Sequence, residues 1–112
     1  MIELRDKLRQ FAAERDWDQF HTPKNLATAL SVEAAELLEH FQWLTAEQST
    51  RLPPDQKEKV RDEMADVLLY LIRLADKLEV DLLDAATKKI DKNAIKYPAG
   101  LVRGSMKKYS DY

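Results

Sequence analysis

Apolar residues recur every three to four positions along most of the chain, and that recurrence predicts four helices. The first covers about residues 2–15, with Leu4, Leu8, Phe11 and Ala12 on one stripe. The pattern breaks over 16–22. Pro23 suits the first turn of a second helix, where the amide it lacks would have no partner, and Thr22 is placed to cap it. That helix extends to about residue 42, with Leu26, Leu30, Ala34, Leu37 and Phe41 inward. A loop follows over 43–53, with a short turn within 46–50, and Pro53-Pro54 stops one element and starts the next. The third helix, about 55–79, carries Val60, Met64, Val67, Leu68, Leu71, Leu74, Ala75 and Leu78. Asp81 caps a fourth, which ends near Lys96 before Pro98. Residues 99–112 read as a polar, irregular tail. Gly100 and Gly104 are the only glycines, so residues 1–99 hold none, which argues against a turn-rich sheet protein. The expected fold is all-α: one domain, 1–112, built as a small four-helix bundle.

Composition narrows the chemistry. The 112 residues contain no cysteine, which removes disulfides, thiolate nucleophiles and Cys-ligated metals. Two histidines are too few for a His-rich metal site. Eighteen basic residues against 20 acidic ones leave a net charge of -2, so a nucleic-acid partner is not expected. No apolar run reaches the ~18 residues of a membrane span, so no membrane partner is expected. The opening residues lack the apolar centre of a signal peptide. The expectation is a soluble, cytoplasmic protein. Charge by segment is more informative than the total. Residues 26–50 carry Glu33, Glu36, Glu39 and Glu47 and no Lys or Arg. Residues 86–112 carry seven basic residues against Asp91 and Asp111, a balance of 7 − 2 = +5. An acidic wall and a basic one together suit a metal-chelated phosphate, although ordinary helix-surface charge would give a similar tally.

The acids sit where acids should not. On a wheel of about 100° per residue centred on Leu30, Glu33 falls about 60° and Glu36 about 120° from the apolar stripe's centre, whereas Glu39 lies opposite. Centred on Val67, the third helix places Glu63 at about 40°, Tyr70 at about 60° and Asp66 at about 100°. Two acids three apart thus border a core-facing stripe twice. An ionised carboxylate is costly to bury without a partner. Lys59 could pair with Glu63, but positions 29, 32, 37 and 40 are Ala, Val, Leu and His, so Glu33 and Glu36 have no cation at helical spacing. Neighbouring helix axes lie ~8–10 Å apart, close enough for the two pairs to share a cation. Oxygen-only ligands suit Mg²⁺, or Mn²⁺ in its place, rather than zinc or copper.

Glu33-Ala34-Ala35-Glu36, 26 intervening residues and then Glu63-Met64-Ala65-Asp66 resemble the Glu-x-x-Glu, Glu-x-x-Asp signature of the MazG-like all-α nucleoside triphosphate pyrophosphohydrolases. The run from Phe11 through Trp17 to His21 is similar to the dCTP pyrophosphatase branch. So are Phe41-Gln42-Trp43, Asp66 to Tyr70, Lys89 to Asn93, Tyr97-Pro98, and Arg103-Gly104-Ser105 with Lys108-Tyr109. Two positions depart from the branch. His40 replaces an aliphatic residue and is not counted as a ligand, and Lys92 replaces a smaller polar residue beside Asn93.

The resemblance implies Mg²⁺-dependent hydrolysis of a (deoxy)nucleoside triphosphate, dCTP or a C5-modified form, to the monophosphate and pyrophosphate. It implies Glu33, Glu36, Glu63 and Asp66 as metal ligands, with Glu33 or Glu36 as the catalytic base. Lys89, Asn93 and Lys96, at i, i+4 and i+7 of the fourth helix, would hold phosphates. Trp17, His21, Trp43 and Tyr70 are the base-binding candidates, since a flat base stacks on aromatic rings. Phe11, Phe20 and Phe41 are assigned to the core. Two other readings stand beside this one. A carboxylate-bridged di-metal protein would need Glu-x-x-His twice, and neither histidine lies three residues after a glutamate. A non-catalytic helical interaction module would not explain the partnerless acids. Finally, so small a chain leaves apolar surface uncovered, and relatives of the resembled kind assemble. The expectation is a homo-oligomer, a tetramer rather than a dimer, centred on the third helix, with a site shared between subunits.

Overall fold

The computed structural model describes residues 1–104, which divide into two compact units at Val80 and Asp81. Ser105, Lys108 and Tyr109 of the tail motif lie outside the described residues. Every regular element among the described residues is helical: α1 (Ile2–Glu14), a 3₁₀ turn (Asp18–Phe20), α2 (Pro23–Glu39), α3 (Ala46–Ser49), α4 (Pro54–Lys77), α5 (Leu82–Lys96) and α6 (Ala99–Val102).

The starts of these elements follow the expected chemistry. The Thr22 hydroxyl accepts from the Asn25 amide, with Pro23 in the first turn of α2. Thr45 and Gln48 form a reciprocal capping box on α3. The Asp81 carboxylate accepts from the Asp84 amide at the head of α5. The ends hold a surprise. α1 and α4 both close in Schellman motifs without glycine. Asp16 (φ 54°) and Glu79 (φ 56°) take the left-handed conformation. The Trp17 amide then donates to the Ala12 carbonyl at 2.9 Å, and the Val80 amide to the Ala75 carbonyl at 2.8 Å.

Three differences from expectation are local. α2 stops at Glu39 rather than near residue 42, because His40 and Phe41 turn their amides back three residues, to Leu37 and Leu38. α3 is a helical turn at 46–49, within the expected short turn. The stretch after Pro98, expected to be irregular, forms α6, in which Leu101 and Val102 both donate to the Pro98 carbonyl.

In the first unit, α2 and α1 both pack against α4. Among the described residues the buried apolar ones are few: Ala12, Leu26, Val60, Ile72 and Ala75. Met64 and Leu68 on α4, and Leu78 just past its end, all expected inside, are exposed. Phe11 and Phe20, also assigned to the core, are exposed, while Phe41 is half-buried. In the second unit, α5 leaves Leu83, Ile90 and Ile95 exposed. The all-helical class is as expected. Packing of three helices, α1, α2 and α4, defines the first unit.

Candidate active site

The long contact between α2 and α4 brings the two acidic pairs face to face. Glu33, Glu36 and Glu63 each offer a carboxylate oxygen, and these atoms all lie within 4.8 Å of one another. Oε2 of Glu33 and Oε2 of Glu63 are buried and meet no hydrogen-bond partner. Lys59 therefore does not satisfy that oxygen of Glu63. Burial, then the neighbouring Glu36, then Glu63 and the charge of Asp66 push the Glu33 carboxyl up to about 7. Asp66 is thus felt electrostatically but falls outside the group of three; its side chain is exposed.

Such a cluster is unfavourable by itself. Like charges at this spacing repel, and a buried oxygen without a partner loses hydration that nothing replaces. A hard cation resolves both problems, and an all-oxygen donor set suits Mg²⁺ or Mn²⁺. The orphaned oxygens of Glu33 and Glu63 make these residues a fit for such an ion. Neither histidine joins the cluster among the described residues.

The aromatic candidates separate into three places. Trp17 packs edge-on against Phe11, ring centres 5.7 Å apart, and lies 6.4 Å from the His21 ring. His21 is also held by Arg73, whose Nε donates to Nδ1 at 3.1 Å. Trp43 is 86% exposed. It lines an open cavity of about 690 Å³ beside α3 with Glu39, His40 and Arg51, and none of the three clustered acids lines that cavity. Tyr70 is half-buried on α4, one turn beyond Asp66. Lys89, Asn93 and Lys96 are exposed on α5, in the second unit.

A second group of charges escaped the sequence reading. Arg73 is only 6% exposed. Its Nη2 donates to Asp18 at 2.5 Å, and its Nη1 lies 3.5 Å from Asp76. Arg9 of α1 grips Asp76 with two bonds of 2.5 and 2.8 Å, and Lys77 also reaches Asp18. Lys77 and then Arg73 hold Asp18 below the usual carboxylate range, and Arg9 and then Arg73 do the same for Asp76. The only sequence signal was the Arg73/Asp76 spacing of three, which is too common to single out.

Known proteins bear on the chain as a whole. Mouse dCTP pyrophosphatase 1 (Mus musculus) is 45% identical over 111 residues, covering 97% of this chain and 65% of the mouse protein. The human protein of that name (Homo sapiens) is 43% identical over 111 residues, again covering 97% of this chain and 65% of its own. The chain thus spans just under two thirds of the length of these curated relatives. A pyrophosphatase crystal structure from Archaeoglobus fulgidus is similar with a TM-score of 0.83 and 45% identity, covering 88% of this chain and 92% of that one. The model of the MazG-like family matches residues 28–112, a stretch that includes both acidic pairs, and the chain belongs to that family.

Proposed function

We propose that this chain hydrolyses deoxynucleoside triphosphates, dCTP or its C5-modified forms foremost, to the monophosphate and pyrophosphate. The observation that carries this is the acid cluster, with its two orphaned buried oxygens, in a chain similar to proteins named dCTP pyrophosphatase. Glu33, Glu36 and Glu63, with Asp66 at the edge, would hold Mg²⁺. When bound, the ion offsets the charge of the phosphate oxygens. The chain's own residues supply the rest. Water attacks, the bond between the α and β phosphates breaks, and pyrophosphate leaves. The proton shed by the water passes to a carboxylate oxygen of Glu33 or Glu36. Trp17, His21, Trp43 and Tyr70 are proposed to bind the base, and Lys89, Asn93 and Lys96 on α5 to hold phosphate.

The exposed apolar residues of α4 and α5 support a homo-oligomer, since a stable monomer would not leave so many apolar side chains in water; a tetramer rather than a dimer is proposed. A compartment rich in nucleotides, the cytoplasm, is the proposed setting. The test is incubation with each dNTP and Mg²⁺ while following pyrophosphate. Release that is fastest with dCTP and lost on chelation is expected. No release from any nucleotide would overturn the proposal and leave a helical interaction module. Light scattering reads the assembly, and a fully active monomer would refute it.

A further inference from the structure

His21 is the one proposed base-binding residue whose polar surroundings are built in detail. The group touching its Nδ1 is the Arg73 guanidinium at 3.1 Å. Arginine donates only, so Nδ1 must accept. A neutral imidazole that accepts at Nδ1 carries its proton on Nε2. A second proton would set N–H against N–H. Burial, then the Arg73 and Lys77 cations, pull His21 below the ordinary imidazole range, and the Asp18 charge opposes them only in part. The charges around the ring come from every element packed there: Asp18 on the 3₁₀ turn, Arg73, Asp76 and Lys77 on α4, and Arg9 on α1, reaching Asp76. Arg73 is itself fixed, enclosed and divided between His21, Asp18 and Asp76. The ring it holds lies beside Trp17, 6.4 Å between centres.

We infer that Arg73 is a positioning residue that keeps His21 neutral and in one tautomer, so that the turn presents a fixed Nε2–H donor beside Trp17 to a hydrogen-bond acceptor on the edge of the nucleotide base. This rests on the proposed role of the turn in base binding. A purely structural Arg73 would tie α1, the turn and α4 together and nothing more. Removing it would then lower stability without altering the tautomer.

The experiment is ¹⁵N NMR of the histidine rings in the full chain, paired with dCTP kinetics over pH. His40→Asn assigns the two histidines. In the wild type, Nδ1 of His21 should be unprotonated and Nε2 protonated at neutral pH. Arg73→Met should give mixed tautomers and a His21 titration moved up toward about 6.5. It should raise KM about three- to ten-fold with kcat little changed, and KM should become pH-dependent near that value. Arg73→Lys keeps the charge but loses the planar fork. It should show the same tautomer change if the Met variant fails to fold. His21→Gln, which retains a donor, should recover much of the KM lost in His21→Phe. A protonated Nδ1 in the wild type would overturn the inference. So would a folded Arg73 variant with wild-type tautomer and KM. Wild-type protein that hydrolyses no nucleotide would overturn the proposed function, and with it the base as acceptor. The tautomer, read without substrate, would still decide the role of Arg73.

Discussion

The two halves of α4 treat charge in opposite ways. Toward its C-terminal end, Arg73, Asp76 and Lys77 join Arg9 and Asp18 in a network where each charge meets an opposite one within 3.5 Å. Toward its N-terminal end, Glu63 faces Glu33 and Glu36 with two buried oxygens unpartnered. Both are clusters of charge on the same helix. The first is paired within the chain itself and ties α1, the 3₁₀ turn and α4 together. The second is not, and it is relieved either by a proton taken up at Glu33 or by a ligand that supplies the missing charge. Strained electrostatics beside a satisfied network is how a site differs from a scaffold.

The largest expected effect lies on the unsatisfied side. Glu36→Gln or Glu63→Gln should reduce pyrophosphate release by about 100-fold or more, since a lost ligand removes charge stabilisation worth several kcal/mol. The ligand-free variants should melt no lower than wild type, because repulsion is relieved. Retained activity, or unfolding, would erase the contrast. The satisfied side should respond in reverse. Asp76→Ala removes both bonds from Arg9 and the longer one from the enclosed Arg73, which keeps Asp18, costing about 1–2 kcal/mol and lowering Tm by roughly 5–10 °C. An unchanged melt would show that the network contributes nothing.

A pH series sharpens the comparison further. The folded protein raises Glu33 from 4.5 to about 7. Between those values it binds more protons than the unfolded chain, so the Glu33 contribution destabilises increasingly as pH rises. Asp18 and Asp76 are depressed. Their contribution is complete above the ordinary carboxylate range and is lost only in acid. His21 is also depressed, and it favours folding as pH rises through its ordinary value near 6.5. The wild type minus Glu33→Gln difference in thermal melts isolates the Glu33 trend, and Mg²⁺ should flatten it. The smallest effect is in the aromatics. Trp17→Ala or Trp43→Ala should raise KM several-fold more than it lowers kcat, because stacking serves ground and transition states alike. Unchanged KM in both would make these rings structural.

The helices were legible because local signals agree. Thr22-Pro23 and Asp81 mark starts that the caps realise, and the 3.6-residue period runs unbroken through α4. The acids were legible because they border apolar stripes with no cation at helical spacing. Arg73 was not, because its partners Asp18 and His21 are more than 50 residues away in sequence, and no periodicity encodes such contacts. The exposure of Met64 and Leu68 was equally hidden. A wheel shows which face is apolar, not which neighbour covers it. The glycine-free ends at Asp16 and Glu79 escaped notice because residues other than glycine seldom take that conformation.

Divalent-ion binding tests the contrast most directly. Titration of the apo protein with Mn²⁺, followed by electron paramagnetic resonance and calorimetry, needs no substrate and no turnover. Wild type should bind the ion with release of protons near neutral pH, Mg²⁺ should compete, and Glu36→Gln and Glu63→Gln should each weaken binding at least ten-fold. Arg73→Lys, on the satisfied side, should bind as wild type does. Wild-type protein that binds no Mn²⁺, or that binds it equally well without Glu36 and without Glu63, would contradict the account.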